Sequence, residues 1–394
     1  MRATRAKDLL RIRSLQERAA LGLWAKQQAA RIAAQKALLE YKQEVTRWSQ
    51  EVAGLTISAV NLSERGLVLA GSRRGAMRQT LAVENLAGLE DQARSNWTDA
   101  RIREQGLSKL SDGTLLKDAI KNDSDAWLGA DHVKNFGLST EILIKLLDPD
   151  QRLPVHYHPN KAFAKQHLGL DHGKTEAWII LEAPAGSGVG LGFKETQNKE
   201  DLLKLVRSQD SAALLASLRR SEVSVGDAIL VPAGVAHAID AGIFLLELQE
   251  PTDLSALLEW EGFAVDGIKD GHLGLGFETV TDALMLDPLS DAEFDSLVMR
   301  NVFSGGALRT VLPIKADGYF RAHLAPQSGE FDAGFAIALV LNGSGEITFA
   351  NAAAMPITQG DAIVIPHAAG KYSISGANVI VSRPPLGELA KNAL

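Results

Sequence analysis

The segment His156-Tyr157-His158-Pro159 sets two imidazoles at i and i+2. On a strand, side chains two apart share a face, so both rings can enter the lumen of one β-barrel. A carboxylate, Glu176, follows in Gly173-Lys174-Thr175-Glu176-Ala177-Trp178, just ahead of an apolar run, and a third imidazole, His237, closes Pro232-Ala233-Gly234-Val235-Ala236-His237. Three imidazoles and one carboxylate form a donor set that suits Zn²⁺ and also Fe²⁺, Mn²⁺, Co²⁺ or Ni²⁺. With four protein ligands, a water or substrate must expand the coordination number before such an ion can act catalytically. Any one of these histidines alone is more often a hydrogen-bonded barrel-mouth residue than a ligand. Four ligand-type residues, each at the edge of a predicted strand, favour the metal. His167 and His172 stand in a Gly-rich polar stretch and read as solvated, while His132 and His272 read as structural or exposed. The chain has no cysteine, which excludes thiolate zinc, disulfides and a cysteine nucleophile.

Positioning these residues requires strands, and the sequence turns to β texture from Glu141. Short branched apolar runs at 142–147, 177–181, 189–193, 228–231 and 244–249 are punctuated by Gly, Pro and Asp. A helical insertion over about 196–222 interrupts them, with helix-type spacing at 200–206 and 211–219, and a further helix is predicted at 291–299 from the Ser290/Glu293 capping-box pair. The run Gly186-Ser187-Gly188-Val189-Gly190 does not open onto a Lys-Ser/Thr helix and reads as a hairpin turn rather than a phosphate cradle. The octet Val225-Gly226-Asp227-Ala228-Ile229-Leu230-Val231-Pro232 returns 134 residues later as Gln359-Gly360-Asp361-Ala362-Ile363-Val364-Ile365-Pro366. Two copies at domain-scale spacing imply a duplicated β-unit and a pair of jelly-roll barrels. The second copy carries Lys371 where His237 stands and Ala336 where Glu176 stands. His323 and His367 lie nearby without forming a pair like His156/His158, so one barrel is expected to hold metal and the other to be structural.

The chain has 394 residues, enough for two or three domains at about 100–200 residues each. Residues 6–52 are rich in helix formers and predict a long helix or helical hairpin with an apolar stripe. A strand pair at 57–69, a helix at 77–91, and short helices at 115–120 and 125–133 follow. The first fifty residues carry a charge of +7 and the remainder −14, and the basic stretch reads as a helix with a solvated face. Self-association or a protein partner through these N-terminal helices is the alternative. The overall charge of −7 argues against general nucleic-acid binding, and no apolar run approaches the roughly 20 residues of a membrane helix. The cytoplasm is the expected compartment.

The stretches 153–159, 173–178, 232–239 and 246–249, taken in order, resemble the successive signatures of class I (type I) mannose-6-phosphate isomerases. Residues 141–148, which contain Lys145-Leu146-Leu147-Asp148, resemble the strand that precedes the family's metal-binding strand. The resemblance runs from about Gly106 into the C-terminal barrel and is strongest over 141–263. It implies a mainly β fold: two cupin (jelly-roll) barrels with a helical insertion, here preceded by an α-helical N-terminal segment. Residues 1–95 form that segment and are not family-like, 96–290 form the metal-binding cupin domain, and 291–394 the second cupin domain without a metal site. Most of the family has Gln where His156 stands, and neither 259–263 nor 301–303 matches the family's Arg-containing sugar-contact motif.

The resemblance implies zinc held by His156, His158, Glu176 and His237, and a sugar phosphate as substrate. Aldose–ketose isomerisation moves one proton between two carbons and another between two oxygens. Lys145 and Lys174 are the cations expected to bind phosphate or an anionic oxygen, with Lys145 a proton shuttle if burial lowers its pKa and Lys174 equally readable as a solvated loop charge. Glu247 either faces the lumen as a base or lies outward on the strand. Interconversion of mannose 6-phosphate and fructose 6-phosphate is the leading expectation. A cupin metal oxygenase and a non-catalytic sugar-binding protein with a partner-binding arm are the competing ones.

Overall fold

The computed structural model describes residues 114–387. The helices read over 6–52 and 77–91 and the strand pair at 57–69 lie outside these residues. The described part is mainly β, built from three antiparallel sheets, two of short strands and a third that includes strands of 11, 14 and 12 residues. The first sheet contains β1 (Leu143–Leu147), β3 (Glu176–Glu182), β6 (Ala228–Val231), β8 (Phe244–Gln249) and β10 (Val298–Met299), in the order β1-β8-β3-β6-β10. The second runs β5-β4-β7-β2-β9, from β2 (His156–Tyr157), β4 (Gly188–Phe193), β5 (Leu218–Glu222), β7 (His237–Ile239) and β9 (Ala256–Leu257). The third comprises β11 (Arg309–Thr310), β12 (Arg321–Phe331), β13 (Ala336–Phe349), β14 (Met355–Thr358), β15 (Ala362–Ile365) and β16 (Tyr372–Arg383), with the order β11-β12-β16-β13-β14 and β15 also on β13.

The internal repeat is carried into strand register. In the first unit Glu176 lies opposite Val231, Ala177 opposite Leu230 and Trp178 opposite Ile229. In the second, Ala336 lies opposite Ile365, Ile337 opposite Val364 and Ala338 opposite Ile363. The neighbouring strands match as well: β8 pairs with β1 as Gln249 to Leu143 and Glu247 to Lys145, and β16 pairs with β12 as Arg383 to Arg321 and Val381 to His323. The turn that opens each copy is built alike. Gly226 and Gly360 take φ of 83° and 84°, a conformation open mainly to glycine. The following Asp accepts from the backbone N–H three residues back, Asp227 from Ser224 and Asp361 from Thr358, each at 2.9 Å.

Several boundaries differ from the sequence expectation. The insertion forms two helices, Lys199–Ser208 and Ser211–Ser217, capped by Asn198 and Asp210. It ends sooner than residue 222, because Leu218–Glu222 pair with β4 as a strand of alternating burial. The helix expected at 291–299 has its Ser290/Glu293 capping box but stops at Asp295, and Val298–Met299 join β6 instead. The helix expected at 125–133 is broken at Gly129, whose φ of 89° ends one short helix before Ala130–Phe136 begins. The turn at 184–188 is not a hairpin. It carries the chain from β3 in the first sheet to β4 in the second, strands that do not pair with each other. The insertion packs Leu202, Val206 and Leu214 with Val155, Tyr157 and Phe193, backing the strands that carry the histidines.

Asp227 is buried and accepts from Ser224 and Asn301 backbone N–H groups and from the Arg300 guanidinium. Asp227→Ala leaves these donors unpaired and is expected to lower stability by about 1–3 kcal/mol in urea unfolding, with Asp227→Asn losing less because it keeps one acceptor oxygen.

Candidate metal centre

β2 and β7 are neighbours in the second sheet, with His156 directly opposite His237. Glu176 enters from the first sheet. The Nδ1 atoms of His156, His158 and His237 lie 2.7, 2.6 and 2.9 Å from the backbone carbonyls of Pro154, Leu254 and Val235. A carbonyl only accepts, so each Nδ1 carries the proton and each Nε2 presents a lone pair. His156 and His237 bond to the carbonyl two residues back on their own segment, and His158 reaches across to the loop before β9. The ring orientations are therefore fixed by the backbone.

The free ends of these side chains converge. Nε2 of His156 is 3.0 Å from Nε2 of His237, Nε2 of His158 is 3.1 Å from Glu176 Oε2, and Nε2 of His237 is 3.5 Å from Glu176 Oε1. The three imidazoles offer ligand atoms all within 4.8 Å of one another, the one such group among the described residues. These are acceptors facing acceptors. The donors present, Trp178 Nε1 at 2.9 Å and the Lys174 ammonium at 3.2 Å, both reach Glu176, and His158 Nε2 is left buried without a hydrogen-bond partner. A divalent cation satisfies such an array, because it replaces lone-pair repulsion by four attractive contacts. Donor atoms around a tetrahedral ion with bonds of about 2.0–2.1 Å sit roughly 3.3 Å apart; the His156–His237, His158–Glu176 and His237–Glu176 separations lie near that value, while the group within 4.8 Å comprises the three imidazoles, with Glu176 beside it. The residues fit zinc.

The electrostatics agree. Burial pushes His156 and His237 down to about 3 and His158 to about 4, so all three are neutral and ready to ligate at neutral pH. Burial raises the Glu176 carboxyl, but the Lys174 ammonium beside it outweighs burial and holds the group well below the usual range. Lys174 is desolvated yet raised, because Glu176 and Glu247 favour its charge. Glu247, only 4% exposed, is pushed up to about 7 by burial and then by the Glu176 charge.

The structure brings His156, His158, Glu176 and His237 together. Lys174 is a buried partner of Glu176 rather than a solvated loop charge. Glu247 faces inward beside Lys145, whose ammonium is 3.7 Å from Glu247 and 2.6 Å from Asp253. Lys145 remains partly open to solvent. His172 departs from the solvated role expected of it, since its Nε2 meets Glu141 at 2.8 Å. His132 is structural, 2.7 Å from the Ser139 carbonyl.

Three features escaped the sequence. The locking carbonyls belong to the backbone and have no residue signature. Gln249, fully buried and opposite Glu176, was legible in principle from the alternation Glu247-Leu248-Gln249. The third is Glu259, which pairs with Arg152 through both oxygens and accepts the Val155 N–H at 3.0 Å, fixing the strand that begins at His156.

The purified chain is expected to hold one divalent ion, and His237→Ala to lose it by at least tenfold in affinity, measured by elemental analysis after competition with a chelator. Glu259→Gln is expected to cost about 2 kcal/mol, less than a wholly buried pair because Arg152 is 28% exposed. Burial raises the Glu259 carboxyl, but Arg152, Ser211 and the Val155 N–H together lower it. Its contribution is therefore complete above the ordinary 4.5 and is lost as pH falls through the lowered value, so urea unfolding of the wild type and Glu259→Gln should converge in acid.

No family model matches the chain. Mannose-6-phosphate isomerase ManA of Bacillus subtilis (strain 168) is 26% identical over 259 residues, which cover 61% of this chain and 74% of that protein. GmuF of the same organism, named a probable mannose-6-phosphate isomerase, is 28% identical over 290 residues, covering 71% and 86%. Among solved structures, the B. subtilis mannose 6-phosphate isomerase superposes with a TM-score of 0.53 at 21% identity, covering 70% of this chain and 85% of that one. A mannose 6-phosphate isomerase whose structure is described as holo and zinc-bound gives 0.54 at 18% identity, covering 69% and 86%. In sequence and in fold, the chain resembles the class I mannose-6-phosphate isomerases.

Proposed function

We propose that the chain is a metal-dependent sugar-phosphate isomerase that interconverts an aldose phosphate and a ketose phosphate, mannose 6-phosphate and fructose 6-phosphate first among them. The observation that carries this reading is Glu247. It is a buried carboxyl outside the set of four converging ligands, on the same sheet face as Glu176, and poised near neutrality. A metal-binding module has no need of such a group, whereas a proton transfer between adjacent carbons does. The names of the relatives support the sugar-phosphate class. On the same reading the molecule is a bicupin, with the metal-bearing half over 96–290, the second half over 291–394, and residues 1–95 a separate segment.

His156, His158, Glu176 and His237 would hold zinc, which supplies polarisation of the sugar's carbonyl and hydroxyl oxygens. Lys174 keeps Glu176 ionised and places a positive charge beside the centre, where it stabilises negative charge that develops on the substrate oxygens. Lys145, at the more open edge of the site and held by Asp253, is the group placed to meet the phosphate. Glu247 takes the proton from C2 of the aldose and returns it at C1, while a second proton passes between the two oxygens. The sugar's atoms are conserved and no electron acceptor is involved, which sets this reading apart from an oxygenase.

Glu247→Gln is expected to lower kcat for mannose 6-phosphate by about 10²–10⁴-fold with metal content unchanged, in a coupled assay of fructose 6-phosphate formation. A base must be deprotonated to act, so wild-type activity should rise with pH and level off at or below about 7. Metal-loaded protein that turns over no hexose or pentose phosphate, or that consumes oxygen instead, contradicts the proposal.

A further inference from the structure

The second unit keeps the strand register of the first but changes the chemistry at each inward position. Ala336 stands where Glu176 does, Arg383 where Gln249 does, Arg321 at the place of Leu143 and His323 at that of Lys145. Residues two apart on a strand share a face. Arg321 and His323 therefore lie on the side of Ala325, and Arg383 on the side of Val381, both members of the second unit's inner core. Ala325, Ala336 and Ala338 are fully buried there, so short side chains stand at the neighbouring positions of these strands.

The polar atoms of this cluster are underused. Arg383 donates through Nη2 to the Asp332 and Ala333 carbonyls, each at 3.1 Å, while its Nε is buried without a partner. Arg321 donates through Nε to the Pro384 carbonyl at 3.0 Å. His323 Nδ1 and the Tyr372 hydroxyl are also buried and unpartnered, and Tyr372 is only 3% exposed. Among the described residues neither guanidinium forms an ion pair. The groups sense one another: burial and then Arg383 push Arg321 down to about 10, and burial and then both arginines hold His323 at about 4. Burial raises the Tyr372 hydroxyl against the opposing pull of Arg383 and Arg321. Asp317, also facing Arg321, favours its charge. Two positive charges share a partly dry space with donors to spare.

We propose that the inner face of the second unit binds a compact phosphate-class oxyanion, held by Arg321 and Arg383 with further hydrogen bonds from His323 and Tyr372. A dianionic phosphate matches the two guanidinium charges, and its oxygens accept from the planar forks that arginine presents. The site stands independently of the metal centre and of the isomerase reading. The first unit gathers acceptors around a cation, and the second gathers donors around an anion.

Calorimetric titration of the metal-loaded full chain with inorganic phosphate, and separately with glycerol 1-phosphate, tests this. Arg383→Gln and Arg321→Gln are each expected to weaken phosphate binding by at least about tenfold, with zinc content and basal turnover unchanged. Ala336→Glu places a carboxylate at the position of Glu176 and should abolish phosphate binding while raising the melting temperature in phosphate-free buffer, which covers the case of an arginine variant that fails to fold. Binding of inorganic phosphate alone identifies a closed site for the free anion, and binding of both ligands one that admits the ester; either supports the proposal. Absence of binding to the wild type at millimolar phosphate overturns it, as does undiminished binding to both Arg383→Gln and Ala336→Glu.

Discussion

The lone pairs of His156, His158 and His237 point at one another and at a carboxylate because the backbone leaves them no alternative. Each ring is committed through Nδ1 to a carbonyl oxygen, at Pro154, Leu254 and Val235. With that proton fixed, Nε2 can only accept, and burial keeps the rings from taking a second proton at neutral pH. Burying three imidazole lone pairs beside a carboxylate carries a desolvation cost that Trp178 and Lys174 offset at Glu176 alone, and that a divalent cation would offset at the rings. The centre is thus defined as much by three carbonyls as by the four side chains that meet in it.

The rest of the first unit serves to keep that arrangement rigid. Antiparallel pairing sets His156 opposite His237, and the Arg152–Glu259 pair anchors the N–H of Val155 one residue earlier. The helical insertion backs the same strands with Leu202, Val206 and Leu214. On the facing sheet, Trp178 and Lys174 both hold Glu176 from positions two residues away in sequence, so a single short segment delivers the carboxylate already oriented. Glu247 sits two cross-strand pairs along on the same face, opposite Trp178, close enough in charge to feel Glu176 yet outside the four converging side chains.

Much of this was legible in the sequence because it follows from period and repetition. The i, i+2 spacing of His156 and His158, the apolar runs and the Gly-Asp echo all express strand geometry, and the echo held to the level of individual cross-strand partners. What escaped was set by tertiary pairing. Residues 218–222 have no local feature that forbids helix and become a strand only because β4 offers a partner. The turn near Gly186 looks like a hairpin, yet its two strands enter different sheets. Whether Lys174 was solvated or buried depended on Glu176 lying beside it in space. In the sequence His323 has no partner of the His156/His158 kind, and only the strand register sets it beside Arg383 and Arg321.

X-ray absorption spectroscopy of the zinc-loaded full chain tests the central claim most directly. Three imidazoles and a carboxylate around one ion give a first shell of nitrogen and oxygen at about 2.0–2.1 Å, with the outer-shell scattering of three imidazole rings. Loss of one ring's scattering in His158→Ala would match the account. A first shell with fewer than two imidazoles, or one unchanged by that substitution, would place the metal elsewhere and contradict it.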